Sequence, residues 1–240
     1  MKQEVLGLVT LLVANFPFNS QMQNGFVSPI SAVQLVDKTI QEEQILAGHF
    51  LDLNKRHKVE SVNQIFSDNI LLTLHYLKGD IDQLVKDPSK KLNQGNIFWE
   101  EIEEPFIVSF TLEPGEVFAF HSNISKEYRD EKIKTFGLEF FAKEGFKAAG
   151  GLYGNGICHL ASLMNWAASE AGLEVVGKVR HNFAPVEGVP EEYGTSIRYR
   201  ENGGDSQNQN LYIKNTSDYP VVFEFKVDED KVSLKIKKSA

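Results

Sequence analysis

Cys158 is the sole cysteine among 240 residues, and its surroundings are of the kind that activate a thiol. Gly150, Gly151, Gly154 and Gly156 precede it, and ICHLASLMNWAASEA surrounds and follows it. There Leu160, Leu163, Met164, Ala167, Ala168 and Ala171 recur at the spacing of a half-buried helix. The spacing predicts a helix from about Cys158 to about Ala171. Gly172 stands where a C′ glycine belongs, with Leu173 as the apolar residue after it. Cys158 then occupies the first turn, where unpaired N–H groups and the positive end of the helix dipole favour a thiolate. The N–H groups of Cys158 and His159 could hold an oxyanion during acyl transfer. His181 falls on the strand expected next, EVVGKVRHNF, which supplies a base for the nucleophile. Cys158, Ser162, Asn165 and Ser169 share the face away from the apolar stripe, which aims the sulfur at a cleft. The glycines let the backbone approach a substrate closely.

Other chemistry fits the same residues. A lone cysteine is most often a small buried hydrophobe. The glycine loop and helix N-terminus would then bind an anionic group, with Lys178, Arg180, Arg198 and Arg200 as cationic contacts. A metal site from Cys158, His159, His181 and His121 has acceptable zinc ligands, but adjacent Cys158 and His159 diverge around a helix. GLYGNG has neither the P-loop pattern nor the dinucleotide fingerprint, so nucleotide binding is rejected.

The elements that must position these groups follow from periodicity. Gln41 to Gly79 reads mainly as helix, with Val62, Ile65, Phe66, Ile70, Leu74 and Leu77 on one face and Gly79 as the stop. DIDQLVKDPSKKLNQG (Asp80 to Gly95) reads as a loop and a domain boundary. PFIVSFTL is a strand, EPG a turn, and EVFAFH alternates with Val117 and Ala119 opposite Phe118 and Phe120. Ser125 to Lys147 reads as irregular with some helix. ENGGDSQNQN is a long polar loop, mobile or part of a binding surface. LYIKN is a strand, and YPVVFEFKV with KVSLKIK forms a hairpin around Asp228-Glu229-Asp230, one face buried and one polar. The fold class expected is α+β: a mostly helical N-terminal portion over residues 1–95, then a domain over 96–240. That domain places a central helix on antiparallel strands and ends in a β-hairpin.

Composition narrows the function classes. Hydrophobic residues at 42% and charged residues at 24% describe a globular chain with enough length for a core. A net charge of −8 argues against bulk electrostatic binding to nucleic acid or an anionic membrane. One cysteine excludes an internal disulfide, a CxxC redox motif and a multi-cysteine zinc site. The apolar run Val5 to Ala14 is too short to span a bilayer, lacks a good cleavage signature, and reads as a core element.

GLYGNGICHLASLMNWAASEAGLEVV resembles the core motif of the VanW-like family: a glycine-rich turn, Gly-Ile-Cys, a small-residue helix and an Ala-Gly-Leu exit. LEPGEVFAF is similar to the family's upstream Pro-Gly-Glu-x-Phe motif, His181 to its histidine after the helix, and NLYIKNTSDYPVVFEF to its closing strands, with Asn215 at the family's asparagine. The resemblance runs from about Phe106 to Lys237. His159 replaces the family's glutamine, His121 replaces its asparagine, and no acid stands at Gly194-Thr195-Ser196. Asn182, Glu187 and Asp205 remain open as the group that orients His181. The resemblance implies a bacterial, extracytoplasmic protein of the cell envelope, with room for anchoring through sequence outside this chain. Two functions are expected in competition. One is a cysteine-dependent hydrolase or transpeptidase of peptidoglycan, with Cys158 and His181 catalytic and Tyr153, Gly154, Gly156, His159, Glu116 and His121 contacting substrate. The other is a non-catalytic module that holds an anionic ligand. Neither needs a cofactor, and neither involves nucleic acid.

Overall fold

A computed structural model describes residues 44–201 and 204–239. The apolar run Val5 to Ala14 lies outside them. The first element is a strand, β1 (Ile45–Asp52), where a mainly helical stretch was expected. It pairs antiparallel with the last strand, matching His49 to Leu234 and Leu51 to Val232. Ala47 and Leu51 point inward and Phe50 outward, so the period is two.

Helix α1 (Glu60–Lys78) follows and ends at Gly79, whose φ of 77° lets its N–H reach the carbonyls of His75 and Tyr76. Its second half is more enclosed than a one-faced helix. Every residue from Ser67 to His75 is buried, because the chain over 99–102, 106–112 and 157–170 packs against the helix. After the helix comes the polar loop over 80–95, continued by the short helix α2 (Trp99–Ile102). Ile81, Leu84, Ile97 and Ile102 anchor it in the same hydrophobic cluster as the strands. The loop reading holds for 80–95, but the residues before and after it share one core, so no break between two cores falls there.

Two four-stranded sheets complete the frame. The first has the order β1, β10 (Lys231–Lys238), β9 (Val221–Asp228), β2 (Phe106–Leu112), all antiparallel. Phe223, Phe225, Val232, Leu234 and Ile236 fill its inner face, as the hairpin pattern predicts. The second has the order β4 (Ile133–Thr135), β3 (Val117–Ala119), β8 (Leu211–Lys214), β7 (Glu174–Gly177), with β3 and β4 parallel. Its β3 is buried on both faces. Phe118 and Phe120 join the main core, while Val117 and Ala119 meet Tyr128 and Tyr212 in a smaller one. The strand expected at LYIKN is β8, in this sheet.

Between β3 and the next helix, the irregular stretch closes with a small hairpin, β5 (Ala148–Ala149) and β6 (Leu152–Tyr153). Its two-residue turn is Gly150-Gly151, both at positive φ. Helix α3 (Ile157–Glu170) then packs against β1, β10, β7, β8 and α1. Leu160, Ala161, Leu163, Met164, Ala167 and Ala168 are fully enclosed. Gly172 donates to Ser169 O and Leu173 to Ala168 O, the paired bonds of a Schellman cap. Among the described residues no helix is long and apolar enough to cross a membrane.

Candidate functional site

The N-terminus of α3 opens onto a cleft of about 1660 Å³. Its walls are the 54–58 loop with Phe66 of α1, residues 139–141, the glycine hairpin, residues 181–187 and residues 196–201 with Gln209. Cys158, His159, His181, Tyr153, Gly154 and Gly156 all line it, so the structure brings six of the expected site residues together. Of the polar loop read as mobile or part of a binding surface, Glu201 and Gln209 reach the cleft. Leu152, Tyr153 and Phe183 stand exposed beside it.

The thiol is not poised as expected. Ile197 N–H lies 3.3 Å from Cys158 Sγ, and Sγ sits 3.6 Å from Ile197 O. No hydrogen bond joins it to His181. Burial pushes the thiol up to about 11, against the lowering that a helix N-terminus would give. The helix N–H groups are also largely spent: Ile157 donates to Gly154 O, and His159 and Leu160 donate to Gly156 O. An oxyanion hole from the N–H groups of Cys158 and His159 is therefore not preformed.

The polar face of α3 explains where the sulfur points. Ser162 Oγ donates to Cys158 O and accepts from Thr195 N–H at 2.9 Å. Asn165 Nδ2 bonds Tyr193 O and Thr195 Oγ1, and Ser169 Oγ bonds Asn165 Oδ1. This face, expected to open on a cleft, instead latches onto residues 193–195 and draws Ile197 over the sulfur. The glycines also answer to packing. A Cβ on Gly156 (φ 100°) would sit 2.3 Å from Phe66 O, and one on Gly154 would sit 2.9 Å from Phe140 Cβ.

His181 Nδ1 donates to Ala184 O at 2.8 Å. That carbonyl is its orienting group, in place of the side chains of Asn182 or Glu187. Asp205's side chain lies outside the described part. Burial lowers the His181 pKa. Its ring packs 4.0 Å from Phe183 and edge-on to His159 at 5.9 Å. His159 is 5% exposed, and its Nδ1 is enclosed without a hydrogen-bond partner. Burial, then the charges of Arg56, His181 and His57, push its pKa down to about 3.

Two expected contacts fall elsewhere. Glu116 does not line the cleft; it accepts from Glu113 N–H and pairs with Lys134 Nζ at 2.9 Å, closing the turn before β3. His121 is fully buried at the end of β3, near Gln209 O and the Asn123 N–H, with burial pushing its pKa down to about 4. Lys178 pairs with Glu127 outside the cleft, whereas Arg198 and Arg200 line it. Among the described residues no group of three or more His, Cys, Asp or Glu is placed to hold a metal ion, so Cys158, His159, His181 and His121 do not form one.

Sequence reasoning missed Arg56. It is 4% exposed and donates Nε to Asp52 O and Nη2 to Glu187 O. In LNKRHKV it has the look of a solvated charge run, and only its tertiary place distinguishes it.

Residues 105–237 match the family model described as VanW like protein. The chain belongs to the VanW-like family. No curated protein and no solved structure matches it. The VanW-like segment carries β2 through β10, including α3 and His181. The 54–58 loop and Phe66 precede that segment, so one wall of this VanW-like cleft comes from outside the family match.

Proposed function

We propose that this VanW-like protein is a non-catalytic binding module of the bacterial cell envelope, whose cleft holds an acidic peptide of the cell wall. The observation that carries this reading is the state of Cys158: its sulfur is engaged by the Ile197 backbone, with the thiol pushed up to about 11 and no bond to His181. At neutral pH such a group stays a thiol, and the thiolate is the nucleophile. The cleft's charge supports an acidic ligand. Lys58, Arg198 and Arg200 line it, and none of them has a carboxylate partner among the described residues. With Lys55 and Arg56 they outnumber the lining carboxylates of Glu139, Glu187 and Glu201, a local excess of positive charge on a chain of net −8. Exposed Tyr153 and Phe183 offer aromatic surface for the rest of the ligand. The envelope and the peptidoglycan ligand rest on the family.

A thiol hydrolase or transpeptidase is the second reading, favoured by the presence of Cys158 and His181 on one cleft. It requires the sulfur to leave Ile197 first. Calorimetric titration with a soluble disaccharide–peptide fragment of peptidoglycan separates the readings. Wild type binds, and replacing both Arg198 and Arg200 by Ala weakens binding about tenfold, the size of two exposed charge contacts. Cys158→Ser binds as wild type does. Unchanged affinity in the double variant overturns the proposal.

A further inference from the structure

The inner wall of the cleft gathers Arg56, His57, His159 and His181. Arg56 bonds only backbone carbonyls, and its Nη1 is enclosed with no partner. The carboxylates of Asp52 and Glu187 act on it from a distance, without an ion pair. A buried guanidinium normally has a counter-ion. His159 presents the same deficit, with Nδ1 enclosed and unpartnered. No carboxylate is among the charges that act on it, and Glu187, on the stretch that carries His181, acts on Arg56 instead. The loop before α1 brings Arg56 and His57, the stretch after β7 brings His181, and α1 brings the edge of Phe66 at 5.3 Å. Two unsatisfied polar groups, each on a side chain more than nine-tenths buried, therefore line one wall with no carboxylate paired to either. Groups of that kind in a native fold point to a missing partner.

We infer that this wall seats a single carboxylate, which binds together with a proton taken up by His159. His159 and the Nε2 of His181, left over after Nδ1 bonds Ala184 O, would meet the carboxylate from the cleft. Arg56 acts from behind, through His159, as a positioning residue. The balance is simple: the proton comes from water as the anion enters, makes His159 an imidazolium paired with the carboxylate, and returns to water when the anion leaves. In the empty cleft burial and positive neighbours keep His159 neutral at pH 7. An anion at the wall favours the charged ring, so binding tightens as pH falls. This inference rests on the acidic-ligand reading and says which residues hold the acid.

The test uses the full chain with ring-labelled histidines and formate as the probe, followed by NMR at about pH 7 and about pH 5, across the histidine range. Sodium chloride at equal ionic strength is the control. Formate is expected to shift the His159 ring signals, raise its titration midpoint, and bind about threefold or more tightly at the lower pH by proton linkage. His159→Gln is expected to bind formate equally at both. A midpoint that formate leaves unmoved, or that chloride moves as far, overturns the inference, and the wild-type midpoint decides even where the variant fails to fold. The two failures are distinguishable. A peptidoglycan fragment that binds without moving His159 leaves the module reading standing and removes this one. A formate response with no binding of the fragment does the reverse.

Discussion

At Asn69, deep in α1, every polar group of the side chain is used. Nδ2 donates to Lys147 O and Asn155 O, and Oδ1 accepts from Lys147 N–H. Beside it the enclosed carboxylate of Asp68 pairs with Lys147 Nζ, which also lies 3.8 Å over the Trp99 ring. At Arg56, just before the same helix, Nη1 and the neighbouring His159 Nδ1 have no partner. Both clusters are buried and both tie residues near α1 to the chain around α3. The first is closed on itself and holds the glycine hairpin in place. The second is left incomplete beside a cleft. A fold keeps unsatisfied polar groups where something else completes them, so the difference separates scaffold from site.

The largest effect should come from the scaffold side. Gly156→Ala forces a Cβ to within 2.3 Å of Phe66 O at a φ of 100°. Strain and overlap together should cost about 3 kcal/mol or more. Urea unfolding reads it, and a loss under about 1 kcal/mol would mean α1 and α3 do not meet this closely. Asn69→Ala comes next, at about 2–4 kcal/mol, since it strands the Asn155 carbonyl and the Lys147 N–H and leaves the Lys147 carbonyl only the Gly154 N–H. If it cost no more than a surface change, the closed cluster would not be scaffold.

The next effects depend on pH. His121 and His159 are held neutral in the fold, at about 4 and about 3. In the unfolded chain they titrate near about 6.5. The folded state thus binds fewer protons below that value, so stability is full above about pH 6.5 and falls as pH drops below it, by at most about 1.4 kcal/mol per pH unit for each histidine. Denaturant midpoints across this range read the slope, and His159→Gln should remove one histidine's share. A slope unchanged in that variant would place His159 outside the buried, neutral class. Cys158→Ser should be the mildest change, within about 1 kcal/mol, because a hydroxyl can take over the contacts to the Ile197 backbone.

Local pattern made part of this readable. The α3 stripe, Gly172 with its Schellman cap, the 106–112 strand and the closing hairpin all follow from spacing within a dozen residues. β1 did not, because QILAGHFLDL mixes apolar positions that fit either period, and pairing with β10 nearly two hundred residues later decides it. The site was half visible. Helix position placed Cys158 at the cleft, but the sulfur's direction depends on Ser162 and Asn165 meeting residues 193–195, a contact no local pattern encodes. Arg56 was hidden for the same reason. Glu116 and His121 carry family motifs, yet one closes a turn and the other packs under Gln209.

The most direct test of a binding cleft without thiol chemistry is intact mass spectrometry of the protein and of a disaccharide–peptide fragment of peptidoglycan after prolonged incubation. The account predicts unchanged masses for both, in wild type as in Cys158→Ser. An acyl adduct on Cys158, or cleaved fragment that disappears in the serine variant, would contradict it.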